Sequence, residues 1–203
     1  MLKTFRIGGI HPADNKLSAG SAIQTLPLPS EVKIPVSQHI GAPAQPIVAV
    51  GDQVKVGQLI AQAGGFVSAN VHSPVSGKVK KIEDIIDGNG YKKQAIIIAV
   101  EGDEWDESID RSPGIKRDIS LSPAEISKKI SEMGLVGMGG ATFPTHVKLA
   151  VPEGKKCEAL VINGVECEPY LTSDHRLMLE KGDEVLIGIK ILMTALGVNK
   201  AYI

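Results

Sequence analysis

Hydrophobic and polar positions change their period along the 203-residue chain. Between Ser21 and Gly102 the apolar residues alternate with polar ones or come in short runs. Val32, Ile34 and Val36 alternate in EVKIPVSQ, and PIVAV, QLIAQA, GKVKKI and AIIIAV follow, separated by turns that carry glycine. Period-two alternation and short apolar runs between turn signals predict strands. Asp87-Gly88-Asn89-Gly90 precedes the last run. Asn and Gly tolerate the positive φ of tight turns, so this stretch predicts a hairpin. Many short strands with almost no helix predict a small barrel or sandwich over residues 21–102. Residues 1–20, glycine-rich and polar with little periodicity, are expected to form an arm lying on the rest of the fold.

A charged stretch with a Pro-Gly pair, DEWDESIDRSPGIKRDIS, then predicts a linker over residues 103–121. Beyond it the period becomes helical. Ser122 can cap, Pro123 suits the first helical position and Glu125 can complete a capping box. Ile126, Ile130 and Met133 recur at helical spacing, and Gly134 supplies a stop. Ala159 to Ile162 has the composition of a short buried strand ending at Asn163-Gly164, where open α/β sheets usually place ligands. In GDEVLIGIKILMTALG, Val185, Leu186, Ile189, Leu192, Met193 and Leu196 share one helical face before Gly197, and KAYI begins another strand. Residues 122–203 therefore predict the start of an α/β domain that continues past Ile203.

Composition narrows the chemistry. Twenty-two Lys and Arg against 23 Asp and Glu leave a net charge of -1 with no basic run, which argues against nucleic acid as a partner. The longest apolar run, Ala95 to Val100, is far shorter than the roughly 20 residues that span a bilayer, and the N-terminus shows no signal-peptide core. Membrane association is expected only through partner proteins. Cys157 and Cys167 are the only cysteines and form no Cys-x-x-Cys pattern, so no disulfide framework, zinc site or iron-sulfur site is read here. A reducing, cytoplasmic setting fits that usage.

Two stretches carry candidate chemistry. GLVGMGGATFPTHVKL, Gly134 to Leu149, has four glycines in its first seven residues. It follows a helix instead of a strand, and Thr142 stands where a dinucleotide fingerprint needs its third glycine, so the ordinary Rossmann reading fails. Clustered glycines still let backbone N–H groups turn toward an anion, or let a flat ring lie against the main chain, and Lys148 can add a charge for a phosphate. A tight helix-to-helix connection with a solvated lysine is the alternative. In the second stretch Glu166 and Glu168 occupy alternate positions, so an extended backbone would point both the same way. Such a pair can hydrogen-bond ribose hydroxyls or a ring edge, or do acid-base work; two solvated loop acids are the alternative.

Resemblances sharpen this reading. Gly51-Asp52-x-Val54-x-x-Gly57-x-Leu59 and Ser73-Pro74-x-x-Gly77-x-Val79 resemble the two halves of the biotinyl/lipoyl-carrier fold. Carriers present a modified lysine on the hairpin between those halves, where this chain has Gly64-Gly65-Phe66, and no lysine lies between Lys55 and Lys78. The module is therefore expected to be structural or docking, not a swinging arm. The glycine-rich stretch with Asn163-x-x-Glu166-x-Glu168-Pro169 and Asp174-x-Arg176 resembles the flavin- and NADH-binding domain of the complex I flavoprotein subunit. With FRIGGIHPADNKL, QHIGAPAQPIVAVGDQVKVGQ and GFVSANVHSPVSGKV, the whole chain is similar to the family formed by the C component of the Rnf electron transport complex.

That resemblance implies a multidomain α+β chain, an all-β barrel-sandwich hybrid followed by a truncated α/β domain for FMN and NADH. It implies an electron-transfer component on the cytoplasmic side of the bacterial cell membrane, peripheral to a complex that couples ferredoxin and NAD to ion translocation. FMN would lie between NAD(H) and iron-sulfur centres, the 4Fe-4S clusters being held in a portion beyond Ile203. By motif position, Gly137, Gly139 and Gly140 would border flavin and nucleotide. Phe143 would stack on the nucleotide and Lys148 would approach a phosphate. Asn163 and Glu166 would contact the flavin, and Glu168 would lie toward the nicotinamide nucleotide. No residue is expected to act as a nucleophile. The match departs at Val165 and Met138, where complex I flavoproteins tend to carry an aspartate and a basic residue. A related NADH-quinone reductase subunit, serving mainly as scaffold, is the alternative.

Overall fold

The structure is a computed structural model, and it describes residues 12–203. The part of the expected arm in residues 1–11 lies outside the described residues. Seven strands build the first module: β1 (Glu31–Pro35), β2 (Gln45–Pro46), β3 (Gln53–Val54), β4 (Leu59–Gln62), β5 (Val71–His72), β6 (Gly77–Ile86) and β7 (Lys92–Val100). They form an antiparallel sheet in the order β1-β7-β6-β3 and a smaller one in the order β2-β4-β5. Inward side chains of both sheets, among them Ile34, Val54, Ile60, Val71, Val79 and Ile96, make one core. This is the barrel-sandwich arrangement that the alternation predicts.

Register explains how the polar pair Lys80-Lys81 is accommodated. Val79 pairs with Ile98 and Lys81 with Ile97, with a bulge between, so one extra residue returns Ile82 to the core side opposite Ile96. The predicted hairpin is present as a loop in which Asp87 Oδ1 accepts from the N–H groups of Asn89 and Tyr91, both at 2.9 Å, with Gly90 at φ +83. PIVAV is largely not a strand. Only its first residue pairs in β2, because Asp52 Oδ2 accepts the Ala49 N–H at 2.8 Å and turns the chain at Gly51, φ +100.

The stretch expected as a linker is laid along the barrel in its first part. Trp105 forms a parallel bridge with Val56, Arg111 stacks 4.5 Å over the Trp105 ring, and Ile109 occupies the space a side chain at Gly57 would need. Its later part reaches the second region, where Arg117 pairs with Asp183 at 2.8 Å.

That region holds α1 (Pro123–Glu132), α2 (Thr145–Leu149), β8 (Leu160–Val161), α3 (Ser173–Glu180), α4 (Gly182–Leu196) and β9 (Ala201–Tyr202). The capping box at Ser122 and Glu125 is formed, and Ile126 and Ile130 are buried. Met133, read as part of that apolar face, is instead exposed, because it is the C-cap where the helix already turns away. β8 pairs in parallel with β9 across the α3–α4 crossover. It is not the buried strand expected: Val161 is 74% exposed, since α4 packs against the pair on one side while Leu160 is half-buried and Val161 faces away. On α4 only Ile189 is fully buried, and Leu186, assigned to the same apolar face, is exposed. Helix α4 packs against α1, α2 and β8, which makes it the element common to both candidate stretches.

Candidate functional site

The glycine-rich loop is built from its base upward. Helix α1 ends with Gly134 at φ +64, the Gly134 N–H donating to Ser131 O and the Leu135 N–H to Ile130 O, a Schellman closure. The chain then folds back on itself: Thr145 N–H donates to Leu135 O at 2.9 Å, Gly137 N–H donates to Phe143 O at 3.0 Å, and Val136 bridges Pro144. Residues 138–142 form the tip, with Gly139 at φ +106 and Thr142 at φ +50. A Cβ at Gly139 or Gly140 would meet nothing within 4 Å, so bare backbone faces open space there. A Cβ at Gly137 would lie 2.5 Å from Lys148 Nζ. The ammonium of Lys148 thus sits over bare loop backbone, in the space a side chain at Gly137 would enter. Among the described residues no carboxylate pairs with Lys148.

The acidic stretch is organised differently from its extended reading. Asn163 follows β8 and its Oδ1 accepts from the Val165 N–H at 3.1 Å. Glu166 Oε1 accepts from the backbone N–H groups of Asp174 at 2.8 Å and His175 at 3.1 Å, and Ser173 Oγ reaches Oε2 at 3.4 Å. Thr172, the N-cap of α3, makes no side-chain cap, so Glu166 satisfies the helix's orphan donors from a distance. The chain bends at Cys167 and Glu168, so the stretch is not extended, and the Glu166 carboxylate is engaged with α3. Glu168 is exposed, and its carbonyl accepts from Lys16 Nζ at 3.1 Å.

The arm holds this stretch in place. Lys16 Nζ also donates to Leu171 O at 2.8 Å, the Tyr170 N–H donates to Asp14 O, and Ser18 and Thr172 share a 2.7 Å hydroxyl contact. Farther along, the Ile23 N–H donates to Glu180, and Arg176 pairs with Glu180 while donating to Ala19 O. The arginine's hydrogen bond, before any other contact, holds the Glu180 carboxyl below the usual carboxylate range. Between arm and acidic stretch lies a cleft of about 630 Å³ bordered by Pro12, Asp14, Lys16, Glu166, Cys167 and Glu168. Cys167 is exposed and Cys157 half-buried.

The structure brings Gly137 and Lys148 together, and Asn163, Glu166 and Glu168 into one short stretch. Among the described residues no hydrogen bond or ion pair joins the two groups. Sequence reasoning missed α3, although Asp174 in its first turn is a helix-start signal. It also missed Asn70, His146 and Lys16 as residues that hold these loops. Their partners lie between 62 and 155 positions away, beyond the reach of any local pattern.

A family of known domains matches each half. The RnfC barrel sandwich hybrid domain matches residues 3–103, and the Nuo51 FMN-binding domain matches residues 130–203. The C component of the proton-translocating ferredoxin:NAD(+) oxidoreductase complex of Clostridium ljungdahlii is 52% identical, over 100% of this chain and 44% of its own length. Its counterpart in the Na(+)-translocating ferredoxin:NAD(+) oxidoreductase complex of Acetobacterium woodii is 45% identical, over 98% of the chain and 45% of its own length. The counterpart in the ion-translocating oxidoreductase complex of Rhodobacter capsulatus is 43% identical, over 100% of the chain and 39% of its own length. The chain spans less than half the length of each of these relatives. Two domain matches in the order that the sequence predicts, and relatives that run along the whole chain, converge on one assignment: the chain belongs to the RnfC family, the C component of Rnf complexes.

Proposed function

We propose that the chain forms part of an electron-transfer subunit of a ferredoxin:NAD oxidoreductase that drives ion translocation, and that its second region binds FMN and NAD(H). One observation carries this: an ammonium lies over bare backbone at the base of a glycine loop whose tip opens outward. The backbone N–H groups of Gly139 and Gly140 donate to no acceptor among the described residues, so they and Lys148 are available to a phosphate. The donor set fits a phosphorylated flat ring.

In this reading Gly137, Gly139 and Gly140 border the flavin and nucleotide, Phe143 offers a ring to the nucleotide, and Lys148 neutralises phosphate charge. Asn163 and Glu166 border the flavin, Glu166 through lone pairs that α3 leaves over, and Glu168 faces the nicotinamide nucleotide. Bound FMN supplies the step between two-electron hydride chemistry and single-electron transfer to iron-sulfur centres. The chain's own residues bind and orient, and none serves as nucleophile. Two cysteines cannot hold a four-cysteine cluster, so the 4Fe-4S centres are placed outside residues 1–203. Among the described residues no helix is long and apolar enough to cross a membrane. Attachment through other subunits, on the cytoplasmic face, is the corresponding proposal for location.

A scaffold subunit without flavin chemistry is the second reading, and one observation favours it: both Glu166 oxygens already serve α3. Titrating the complete protein with FMN, then adding NADH, separates the two. Flavin binding followed by bleaching supports the first reading, with Lys148→Ala weakening the binding about tenfold, the order of one lost charge-assisted hydrogen bond. A folded protein that takes up no flavin supports the second.

A further inference from the structure

The hairpin that carries the modified lysine in carrier domains joins β4 to β5 in this chain, and it is bonded on two sides. On the barrel side, Ala42 N–H donates to Val67 O at 2.9 Å, Ser68 Oγ donates to Ala42 O at 2.7 Å, and Gly64 N–H donates to Ser68 Oγ at 3.0 Å. The Ala69 N–H donates to Nε2 of buried His39 at 3.1 Å. Side chains are excluded from this face, since a Cβ at Gly41 would lie 2.0 Å from Val67 O and one at Gly64 would lie 2.4 Å from Pro43 O. The hairpin is thus fixed to the barrel.

Its other side meets both ends of the glycine-rich loop's base. Asn70 is bridged, its Oδ1 accepting from the Ala63 N–H at 2.9 Å while its Nδ2 donates to Glu132 O, a terminal carbonyl of α1, at 2.9 Å. One residue past the helix's C-cap, a Cβ at Gly134 would lie 2.1 Å from Asn70 O, so the two backbones touch. On the returning side of the loop, His146 Nε2 donates to Phe66 O at 3.0 Å, and the two rings meet edge to face with centroids 6.0 Å apart. The carbonyl can only accept, so Nε2 carries the hydrogen. Gly134 enters the loop and His146 leaves it, one residue after the Leu135–Thr145 bond that closes its base.

We infer that the hairpin tip is a clamp which sets the glycine-rich loop through Asn70 and His146, making both positioning residues for the cofactor that the loop receives. A swinging carrier tip would need freedom, whereas this one is held on the barrel side and grips on the other. The inference rests on the proposed FMN site for its cofactor part but not for its effect on the loop.

The test compares His146→Ala, His146→Gln and Asn70→Asp in the complete protein. Gln keeps an amide N–H for Phe66 O; Asp keeps an oxygen for the Ala63 N–H and loses the donor to Glu132 O. Hydrogen exchange of the loop-closing Gly137 and Thr145 amides is read without ligand, FMN affinity by titration, and folding by exchange across β6 and β7. With β6 and β7 unchanged, His146→Ala and Asn70→Asp are expected to speed loop exchange and weaken FMN binding, each about tenfold, while His146→Gln stays near wild type. Unchanged loop exchange overturns the clamp. Faster exchange with unaltered FMN affinity overturns the positioning role. Should wild-type protein bind no FMN while its loop still responds to the variants, the clamp stands and the flavin reading fails. If His146→Ala does not fold, Asn70→Asp against His146→Gln decides.

Discussion

The barrel and the helical region keep their shape in different ways. In the barrel two sheets share one core, and Ile60, Ile96 and Ile98 are wholly excluded from solvent. In the helical region full burial is confined to a few positions, such as Ile126, Ile130, Ile189 and Val198, while Leu177, Leu179, Leu186 and Tyr202 stay exposed. The second region therefore leans on attachments: the hairpin at α1 and α2, Arg117 at α4, and the arm along the acidic stretch. A stable frame thus helps hold these loops, which suits the proposed site, whose parts would have to stay open to large ligands.

The strongest challenge to this contrast is Ile96→Ala. The side chain is fully buried between β1 and β6, so truncation should cost about 2–5 kcal/mol, read as a fall in denaturant midpoint at constant slope. A loss below about 1 kcal/mol would mean that the barrel is not the rigid partner. A smaller effect is expected from Ser122→Ala, which removes one half of the α1 capping box. It should cost about 1 kcal/mol, and it should quicken exchange in α1 while leaving the strands alone. Equal quickening in the barrel would show that the regions unfold as one unit.

The smallest effect concerns the arm and pH. Glu180 is held below its ordinary value by Arg176, so it binds protons less readily folded than unfolded. Its contribution is complete above the ordinary carboxylate range and disappears as pH falls through the depressed folded value. Exchange of the Ile23 amide, which donates to Glu180, should therefore be protected at about pH 7 and progressively released as the pH is lowered below the ordinary carboxylate range, after correction for intrinsic rates. Protection that persists in acid would assign the arm's hold to its contacts other than Glu180, those of Lys16, Asp14, Ser18 and Ala19.

What the sequence disclosed was local. The Ser122 box, the Gly134 and Gly197 helix stops and the inward alternation of β1 each depend on residues within a few positions of one another. PIVAV misled because Asp52, outside the run, captures its backbone. The extended reading of the acidic stretch misled because the partner of Glu166 is a helix end seven to nine residues ahead, and the chain bends at Cys167 and Glu168. For the site, the glycines and Lys148 were legible as a pattern, yet the placing of the Lys148 ammonium over Gly137 needed the folded loop. Gly134 is similar: its role as a stop was readable, its contact with Asn70 was not.

The arm carries a consequence for the order of events during synthesis. Lys16 finds its acceptors 152 and 155 positions later, at Glu168 and Leu171. Every strand of the barrel has left the ribosome before those carbonyls exist. At about 5–20 residues per second the wait is on the order of ten seconds, long compared with the folding of a small domain. The arm is therefore the first described segment to be made yet is fastened only after the whole barrel has emerged, and its docking reports that the acidic stretch has been completed.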